Sequence, residues 1–421
     1  MSAVLIISVL VILIAIGVPI GFSVFLSGVF GMILGGYGSF TMIPIQIYDG
    51  VNSFPLMALP MFALMGEIMS NTSLGKKLVN IAAALVGFIQ GGLAMVTVVA
   101  CMFFGTLSGS ATAAAAALCN ILIPPMEERG YPKAFAAAVM SSASTLAIIV
   151  PPSGPLIMYG VLASVSITQL FIGAIIPGVI SGGALMIVSY VIAKKMGLPR
   201  EGAFALKKLL TAIREGWGAL LIPIVIFGGI FSGIFTATES AAVSVIVAIV
   251  FSWRELDVRK FPDFFARTAF QTAIVTFLIG ASQVLGYVLT YERIPQTIAN
   301  SILQLTHNKF YVLMMLNVLL LFLGCILHGS AAILLVTPCV LPLLSRLQIN
   351  PVHFGILLIM NIGVGQQTPP VASVLITVCS ITGLSIGQVF HYLKWFIVAS
   401  ILALILVTYI PFLTTWLPSL M

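Results

Sequence analysis

The sequence predicts an all-α integral membrane protein of about ten transmembrane helices plus two re-entrant hairpins, arranged as two inverted-topology repeats. Of its 421 residues, 60% are hydrophobic and 7% are charged, whereas about 25% of the residues in a typical soluble domain are charged. Apolar runs of about 20 residues, long enough to span a bilayer, recur from Met1 to Met421 with short polar breaks between them. No segment is polar enough to form a soluble domain.

Charge and cysteine placement exclude other classes. The net charge of +7 does not indicate nucleic-acid binding, because the Lys and Arg residues lie between apolar segments, as they do in cytoplasmic loops. The five Cys residues lie within apolar segments and lack CxxC spacing, so neither a metal site nor a disulfide is predicted. The first apolar segment, from Val4 to Ile16, has no basic region or cleavage pattern before it and is predicted to be a span.

Basic clusters predict the orientation of the chain. Positive charge concentrates between Lys194 and Arg214 and again between Arg254 and Arg267, which places both loops in the cytoplasm. The apolar stretches between them, Trp217 to Phe235 and Ala237 to Trp253, supply the two crossings that this arrangement requires. The basic pair at Lys76 and Lys77 predicts a further cytoplasmic loop.

An internal repeat is visible in the sequence. Gly109-Ser110-Ala111 recurs as Gly329-Ser330-Ala331, and Val150-Pro151-Pro152 recurs as Thr368-Pro369-Pro370, at nearly the same separation along the chain. An odd number of crossings in each half would make the repeats inverted. The predicted organisation is a first repeat, 1–200 (scaffold 1–90, hairpin and broken helix 91–165, closing helix 170–193), a cytoplasmic linker, 201–216, and a second repeat, 217–421 (scaffold 217–308, hairpin and broken helix 309–386, closing helix 387–418).

The candidate site consists of four predicted interruptions of helix. The hairpin tips, residues 105–110 and 327–330, are rich in Gly and hydroxyl groups, and the two Pro-Pro pairs interrupt helical hydrogen bonding. Unpaired backbone groups at membrane depth are tolerated only when they are buried in protein or line a cavity. Their carbonyl and hydroxyl oxygens suit a small cation, and nearby helix N-termini suit a carboxylate.

Three isolated ionisable residues have alternative interpretations. Glu239 follows Thr236 at a helix start, which favours a capping role. Glu67, one turn before Asn71, is interpreted as approaching the cytoplasmic interface. His328 lies at a predicted tip, where it is either a substrate contact or proton-linked group, or a structural histidine.

These motifs resemble a known family. The hairpin segment 107–111, the first Pro-Pro segment 150–153, the run from Gly228 to Glu239 and the segment 367–370 are similar to the large membrane (M) subunit of TRAP (tripartite ATP-independent periplasmic) transporters. The resemblance covers the whole chain. It implies an elevator-type symporter of organic acid carboxylates in the bacterial cytoplasmic (inner) membrane, with sodium as coupling ion and no other cofactor. It also implies two partners, a small four-helix membrane subunit and a periplasmic solute-binding protein.

The resemblance also implies the site residues. The hairpins and broken helices would form the moving transport domain, about 91–165 and 310–386, braced by the helix pairs Met1 to Ile33 and Trp217 to Trp253. The implied substrate contacts are Ser108, Gly109, Pro152, Ser153, His328, Gln366, Gln367 and Pro370. The implied sodium ligands are Ser108, Ser110, Ser144, Thr145 and Val150 in the first half, and Gly329, Ser330, Gly363, Gly365 and Thr368 in the second.

Two departures from the family pattern concern the solute pocket. His328 stands where members commonly carry an acidic residue, and Gln366 and Gln367 stand where apolar residues are common. Our hypothesis is that these three side chains adapt the pocket to more hydrogen bonding or negative charge. The alternative function is a standalone ion-coupled carrier or antiporter of the wider ion-transporter superfamily, including a proton-linked one. No HExxH or GxSxG motif is present, so an enzyme is not predicted.

Overall fold

A computed structural model of the chain describes residues 2–37, 39–200 and 202–420, with the side chains of all of these except 2–4, 106–108 and 258. The described residues are helical throughout, joined by short turns, and form no strand. The α-helices of the first half are α1 (Ser2–Ala15), α2 (Ile20–Gly35), α3 (Met42–Val51), α4 (Ala58–Ser70), α5 (Ser73–Val86), α6 (Gly92–Ser108), α7 (Ala111–Glu128), α8 (Lys133–Ser144), α9 (Leu146–Ile149), α10 (Gly154–Ala163) and α11 (Ile167–Lys195).

The second half is also all-helical. Short 3-10 turns occur at Phe54–Met57 in the first half and at Val258–Lys260 and Pro418–Leu420 in the second. Its α-helices are α12 (Leu206–Phe231), α13 (Ala237–Ser252), α14 (Phe261–Tyr291), α15 (Ile294–Leu305), α16 (Lys309–Ile326), α17 (Gly329–Arg346), α18 (Pro351–Gln367), α19 (Ser373–Thr382), α20 (Ile386–Tyr409) and α21 (Phe412–Thr415).

Several of these helices are suited to a bilayer. Among the described residues, 7 helices are long and apolar enough to cross a membrane, or up to 8 if the bent pair formed by α3 and the segment Phe54–Ser70 is one span. Shorter apolar helices of 10–17 residues accompany them. The chain is therefore a multi-pass membrane protein, and the count of about ten crossings stays a prediction.

The predicted breaks in the apolar segments are confirmed. Gly17, with φ +85°, and Pro19 separate α1 from α2. Residues 150–153 separate α9 from α10, and residues 368–372 separate α18 from α19. The Pro-Pro pairs follow the ends of α9 and α18 because proline has no backbone N–H to continue the hydrogen-bond ladder, whereas α1 ends shortly before the left-handed Gly17. The predicted cap at Glu239 is also confirmed, since Thr236 and Glu239 form a reciprocal capping box at the start of α13.

Helix replaces predicted loop or linker at two places. The predicted cytoplasmic linker, 201–216, becomes helix α12 from Leu206 onward, because Leu206, Leu210, Ile213 and Trp217 recur at helical spacing. Lys76 and Lys77 lie inside helix α5 rather than in a loop. Both segments are amphipathic, so their mean apolarity is lower than that of a span.

The two broken helices form the centre of the molecule. The continuous segment from Lys133 to Ala163 is 89% buried in its most apolar stretch, against 28% for Leu206–Phe231. In α18, every residue from Val352 to Gln367 is buried. Interrupted backbone is thus kept inside protein, where its polar groups do not meet lipid. The first helix of each hairpin, α6 and α16, packs against this centre.

Candidate functional site

The first hairpin tip is the turn between α6 and α7. Gly109 ends α6 with φ +56°, a left-handed conformation that glycine adopts at little cost. Ser110 begins α7, and its hydroxyl oxygen accepts from the N–H of Ala113 at 3.4 Å. The sequence predicts a tip over residues 105–110, but α6 continues to Ser108, so the turn is confined to two residues. The side chain of Ser108, a predicted site residue, lies outside the described residues.

The second hairpin tip has a different backbone. Leu327 and His328 both have extended backbone, and α17 starts at the next residue, Gly329. No left-handed glycine corresponding to Gly109 ends α16. His328 is the residue that caps α17, but its side chain makes no capping hydrogen bond and is exposed. The two tips therefore share their position in the repeat but not their turn geometry.

Each tip is held against the broken helix of its own half. At the first tip, a Cβ added to Gly109 would lie 2.9 Å from the backbone N of Gly154, just after the Pro-Pro break. At the second, the N–H of Val371, just after the other break, donates to the carbonyl of Cys325 at 3.1 Å. A tip and its broken helix are thus one packed unit.

The breaks are stabilised by local hydrogen bonds. Both Pro-Pro bonds, Pro151-Pro152 and Pro369-Pro370, are cis. The Ser153 hydroxyl is buried and donates to the carbonyl of Ile148 at 2.6 Å. This bond satisfies one carbonyl that the interruption leaves without a helical partner.

Both tips and parts of both broken helices line one cavity of about 590 Å³. Tip residues Ser110 and Ser330 contribute hydroxyls, and Gln366 contributes a side-chain amide from the end of α18. Gln366 is 6% exposed, and its Oε1 has no hydrogen-bond partner among the described side chains and backbone groups. A buried acceptor of this kind is costly unless water or a ligand satisfies it. Of the predicted site residues, those that line the cavity are Gly109, Ser110, Pro152, His328, Gly329, Ser330 and Gln366.

Three predicted substrate contacts with described side chains, Ser153, Gln367 and Pro370, are not among the residues that line this cavity. Gln367 is fully buried and its Nε2 donates to the hydroxyl of Ser400 on α20 at 3.2 Å. Ser153, which follows Pro152, is buried, and Pro370, which lies in the second break, is exposed. Gln366 and Gln367 therefore point to different sides of α18, one into the cavity and one towards α20, although the sequence treats the two residues together.

Two predicted sodium ligands outside the cavity lie where the two broken helices meet. A Cβ added to Gly363 on α18 would lie 3.7 Å from Cβ of Thr145, at the junction of α8 and α9. A hydroxyl that donates its one hydrogen keeps its oxygen lone pairs, so it can still bind a cation. Such hydroxyls are Ser144 (to Met140 O, 2.7 Å), Thr145 (to Ser142 O, 2.7 Å) and Thr368 (to Val364 O, 2.7 Å), and Val150 and Gly365 lie in the same segments.

The opposite wall of the cavity comes from helices that the sequence predicts as scaffold. Glu67 and Ser70 on α4, with Gln271 and Thr272 on α14, face the two tips. The interpretation of Glu67 as an interface residue did not place it in this cavity. Its isolation within an apolar segment was the one signal in the sequence, and α14, which provides its neighbours, is about two hundred residues away along the chain.

Comparisons with known proteins identify the family of the chain. The family described as "Tripartite ATP-independent periplasmic transporter, DctM component" matches residues 7–413. The chain belongs to this family. As a TRAP transporter large membrane subunit, it is a transporter and not an enzyme.

Named relatives extend over most of this TRAP subunit. The C4-dicarboxylate TRAP transporter large permease protein DctM of Pseudomonas aeruginosa is 34% identical over 94% of this chain and 93% of its own. The sialic acid TRAP transporter large permease protein SiaM of Vibrio cholerae is 33% identical over 96% and 95%. The isethionate TRAP transporter permease protein DctMQ of Oleidesulfovibrio alaskensis is 35% identical over 94% of this chain, which spans 63% of that protein.

A solved structure supports the fold of the TRAP subunit. The chain is similar to the Alcanivorax borkumensis YdaH transporter, with a TM-score of 0.64 over 88% of each chain. Sequence identity to it is 14%, so this likeness concerns the fold alone.

Proposed function

We propose that this chain carries out sodium-driven uptake of an organic acid anion that a periplasmic binding protein delivers. The observation that supports this most directly is the single cavity lined by both hairpin tips, Pro152 and Gln366. It offers hydroxyls and a side-chain amide from one wall and polar groups from the other. A solute held there would touch both halves of the chain.

The substrate class is proposed from the relatives. Their names mention C4-dicarboxylate, sialic acid and isethionate, and all three are organic anions. Hydroxyl and amide donors bind carboxylate oxygens well. We propose that Ser110, His328, Ser330 and Gln366 provide such donors here.

The sodium sites are proposed at two places, one in each half. The first would use Ser108 and Ser110 with the segment from Ser144 to Val150, and the second Gly329 and Ser330 with the segment from Gly363 to Thr368. Support comes from the hydroxyls near the breaks that keep lone pairs for a cation. Backbone carbonyls at an interrupted helix would complete the hard oxygen shell that a small cation requires.

The mechanism that we propose is an elevator movement of one rigid domain. The domain would consist of 91–165 and 309–386, and its support is the packing of each tip on its own broken helix. The helices of 1–90 and 217–308 would form the scaffold. Two inverted repeats of about ten crossings in all, with re-entrant hairpins and one closing helix each, would supply the symmetry. Each arm of the second hairpin is 18 residues long and therefore long enough to cross a membrane. Length alone does not make this hairpin re-entrant, and the proposal that it is re-entrant is supported by its tip, which lines the cavity.

The partners are proposed by family. A small four-helix membrane subunit and a periplasmic binding protein would complete the transporter in the bacterial inner membrane. The name DctMQ and the 63% coverage of that relative fit a protein in which a small subunit is fused to the large one. The exposed apolar faces of α1, α2 and α12 would contact this subunit and lipid.

The test is uptake into proteoliposomes that contain this chain and its small subunit. Radiolabelled succinate, sialic acid and isethionate would be offered with and without the cognate binding protein, under an inward sodium gradient or none. We expect uptake of one of them to require both. Ser110→Ala and Ser330→Ala should raise the sodium concentration for half-maximal uptake, whereas Ser301→Ala, on exposed helix α15, should not.

One observation favours a second candidate, a standalone proton-linked carrier. His328 lines the cavity without a capping hydrogen bond, as a proton-binding group would. Uptake that proceeds without the binding protein and follows a pH gradient would support this candidate and contradict the first.

A further inference from the structure

The cavity is lined by a carboxylate, that of Glu67, which belongs to neither hairpin tip. Apart from His328, Glu67 is the one side chain with an ionisable group among the described residues that line the cavity. Its side chain is 17% exposed, so most of it is shielded from solvent. Shielding a carboxylate costs free energy that an ordinary surface position avoids. Its place in a cavity for organic anions therefore requires an explanation.

A basic partner stands beside Glu67 but is not bonded to it closely. Arg267 on α14 places its Nη1 3.9 Å from Oε2 of Glu67, and the arginine side chain is 64% exposed. This distance is too long for a hydrogen bond, and exposed ion pairs of this kind contribute little to stability. The closest polar contact of the carboxylate is instead the amide of Asn71, at 3.3 Å.

Glu67 lines the cavity, whereas Arg267, 3.9 Å from its carboxylate, stands outside the lining residues. Glu67 is in the last turn of α4, and Ser70, the final residue of that helix, lines the cavity and is exposed. Leu59, at the other end of α4, also lines the cavity and lies beside Gly154. A solute moving along α4 between Leu59 and Ser70 would therefore pass Glu67, beside which Arg267 stands.

We propose that Glu67 and Arg267 form a charge gate that sets how fast organic anions pass this part of the cavity. Low-dielectric walls focus the field of a fixed charge along such a passage. Arg267 attracts an anion, and Glu67 opposes that attraction, so the anion is not retained. The gate rests on the proposed function, because it assumes an anionic solute, but its field is measurable without any transport.

The first experiment measures the field. Ser70→Cys would be labelled by 2-sulfonatoethyl methanethiosulfonate, an anion, and by the trimethylammonium-ethyl analogue, a cation, with the unsubstituted protein as background. We take a reagent about 7 Å from the removed charge in a water-like medium. Glu67→Gln should then raise the rate of labelling by the anionic reagent about threefold and lower the rate of labelling by the cationic reagent about threefold. Arg267→Gln should do the reverse.

Matched variants distinguish charge from structural damage. Glu127→Gln removes a carboxylate that pairs with Lys133 at 3.6 Å, outside the cavity, and should leave both labelling rates unchanged. Glu67→Asp and Arg267→Lys keep the charges and should behave like the parent. Equal ratios of anion to cation labelling in Glu67→Gln, Arg267→Gln and the parent would overturn the proposal.

The second experiment connects the gate to uptake. In the proteoliposome assay, Glu67→Gln should lower both the half-saturating solute concentration and the maximal rate, because Arg267 then retains the anion. Absence of uptake by the parent protein would contradict the proposed function while leaving the labelling result intact. Normal uptake by Glu67→Gln, together with altered labelling, would overturn the role of the gate in transport.

Discussion

Gly324 on α16 and Gly365 on α18 bring the backbones of two helices into contact. A Cβ added to Gly365 would lie 2.3 Å from the carbonyl carbon of Gly324, and one added to Gly324 would lie 3.3 Å from Cα of Gly365. Atoms essentially never approach as closely as the first of these distances. The two glycines thus allow the first arm of the second hairpin to lie directly on the broken helix.

This contact predicts a large effect of a single methyl group. We expect Gly365→Ala to destabilise the protein by about 3 kcal/mol or more, because backbone atoms of Gly324 have no rotamer through which to move aside. Thermal unfolding in detergent would measure this loss. Gly183→Ala is the control, since Gly183 lies in helix α11 with nothing within 4 Å of an added Cβ, and alanine there should stabilise by up to about 1 kcal/mol. Equal melting temperatures for the two variants would contradict the prediction.

Gln366 and Gln367 should respond differently to the same substitution. Gln366→Ala removes an amide from the cavity wall and should raise the half-saturating solute concentration about tenfold, the equivalent of one hydrogen bond. Gln367→Ala removes the bond to Ser400 and should lower thermal stability while leaving half-saturation unchanged. Uptake kinetics and melting temperatures measured on the same preparations would separate the two. An uptake defect in Gln367→Ala without loss of stability would argue against the assigned orientations.

A buried pair of asparagines links three helices of the second half. Asn361 on α18 donates to Oδ1 of Asn317 on α16 at 2.9 Å, and Asn317 donates to the hydroxyl of Thr408 on α20 at 3.0 Å. We expect Asn317→Leu and Asn361→Leu each to cost about 1–3 kcal/mol, because each leaves a buried polar partner unmatched. The double variant should cost less than the sum by about 1 kcal/mol or more.

The control for this cycle is Asn80→Leu, on the exposed side of α5, which should stay within about 0.5 kcal/mol of the parent. Denaturation midpoints of the four proteins would provide the coupling. Strict additivity of Asn317→Leu and Asn361→Leu would mean that the hydrogen bond between them contributes nothing.

Glu255 predicts a pH dependence of stability. Its carboxylate accepts from the hydroxyl of Ser73 and, at 2.6 Å, from the Ser73 N–H, and these bonds hold the pKa of Glu255 below its usual range. A carboxyl whose pKa is lower when folded stabilises the protein above its unfolded pKa, about 4.3, and loses that contribution as pH falls through the folded value. Because the Glu255 side chain is 39% exposed and solvent screens its charge, Glu255→Gln should cost only about 0.5 kcal/mol at neutral pH and progressively less below about pH 4.3.

Melting temperatures of the parent and Glu255→Gln between neutral and acid pH would check this. Glu128→Gln, a change at an exposed position near the end of α7, serves as the control and should show no such convergence. A difference between parent and Glu255→Gln that persists at the lowest pH would contradict the role of the charged cap.

The sequence predicts those features that depend on backbone chemistry alone. The breaks at Pro151-Pro152 and Pro369-Pro370 follow from the missing N–H of proline, and the turn at Gly109 follows from the conformational freedom of glycine. Family resemblance assigned Ser110, Ser330 and Gln366 to the site, and all three line the cavity.

The features that escaped prediction depend on tertiary packing. Helix α5 and the start of α12 are amphipathic, and apolarity alone does not distinguish such segments from loops in a membrane protein. The different orientations of Gln366 and Gln367 depend on the rotation of α18 against α20, and the position of Glu67 depends on α14. None of these relations is encoded within a short segment of sequence.

The bond between Ser73 and Glu255 has a consequence for biosynthesis. The capping carboxylate lies 182 positions after the N–H that it caps, so a ribosome working at roughly 5–20 residues per second needs about 10–40 s to supply it. During that interval, the start of α5 has water in place of its native cap. The start of α5 is therefore expected to gain its native cap only after the ribosome has produced the loop after α13.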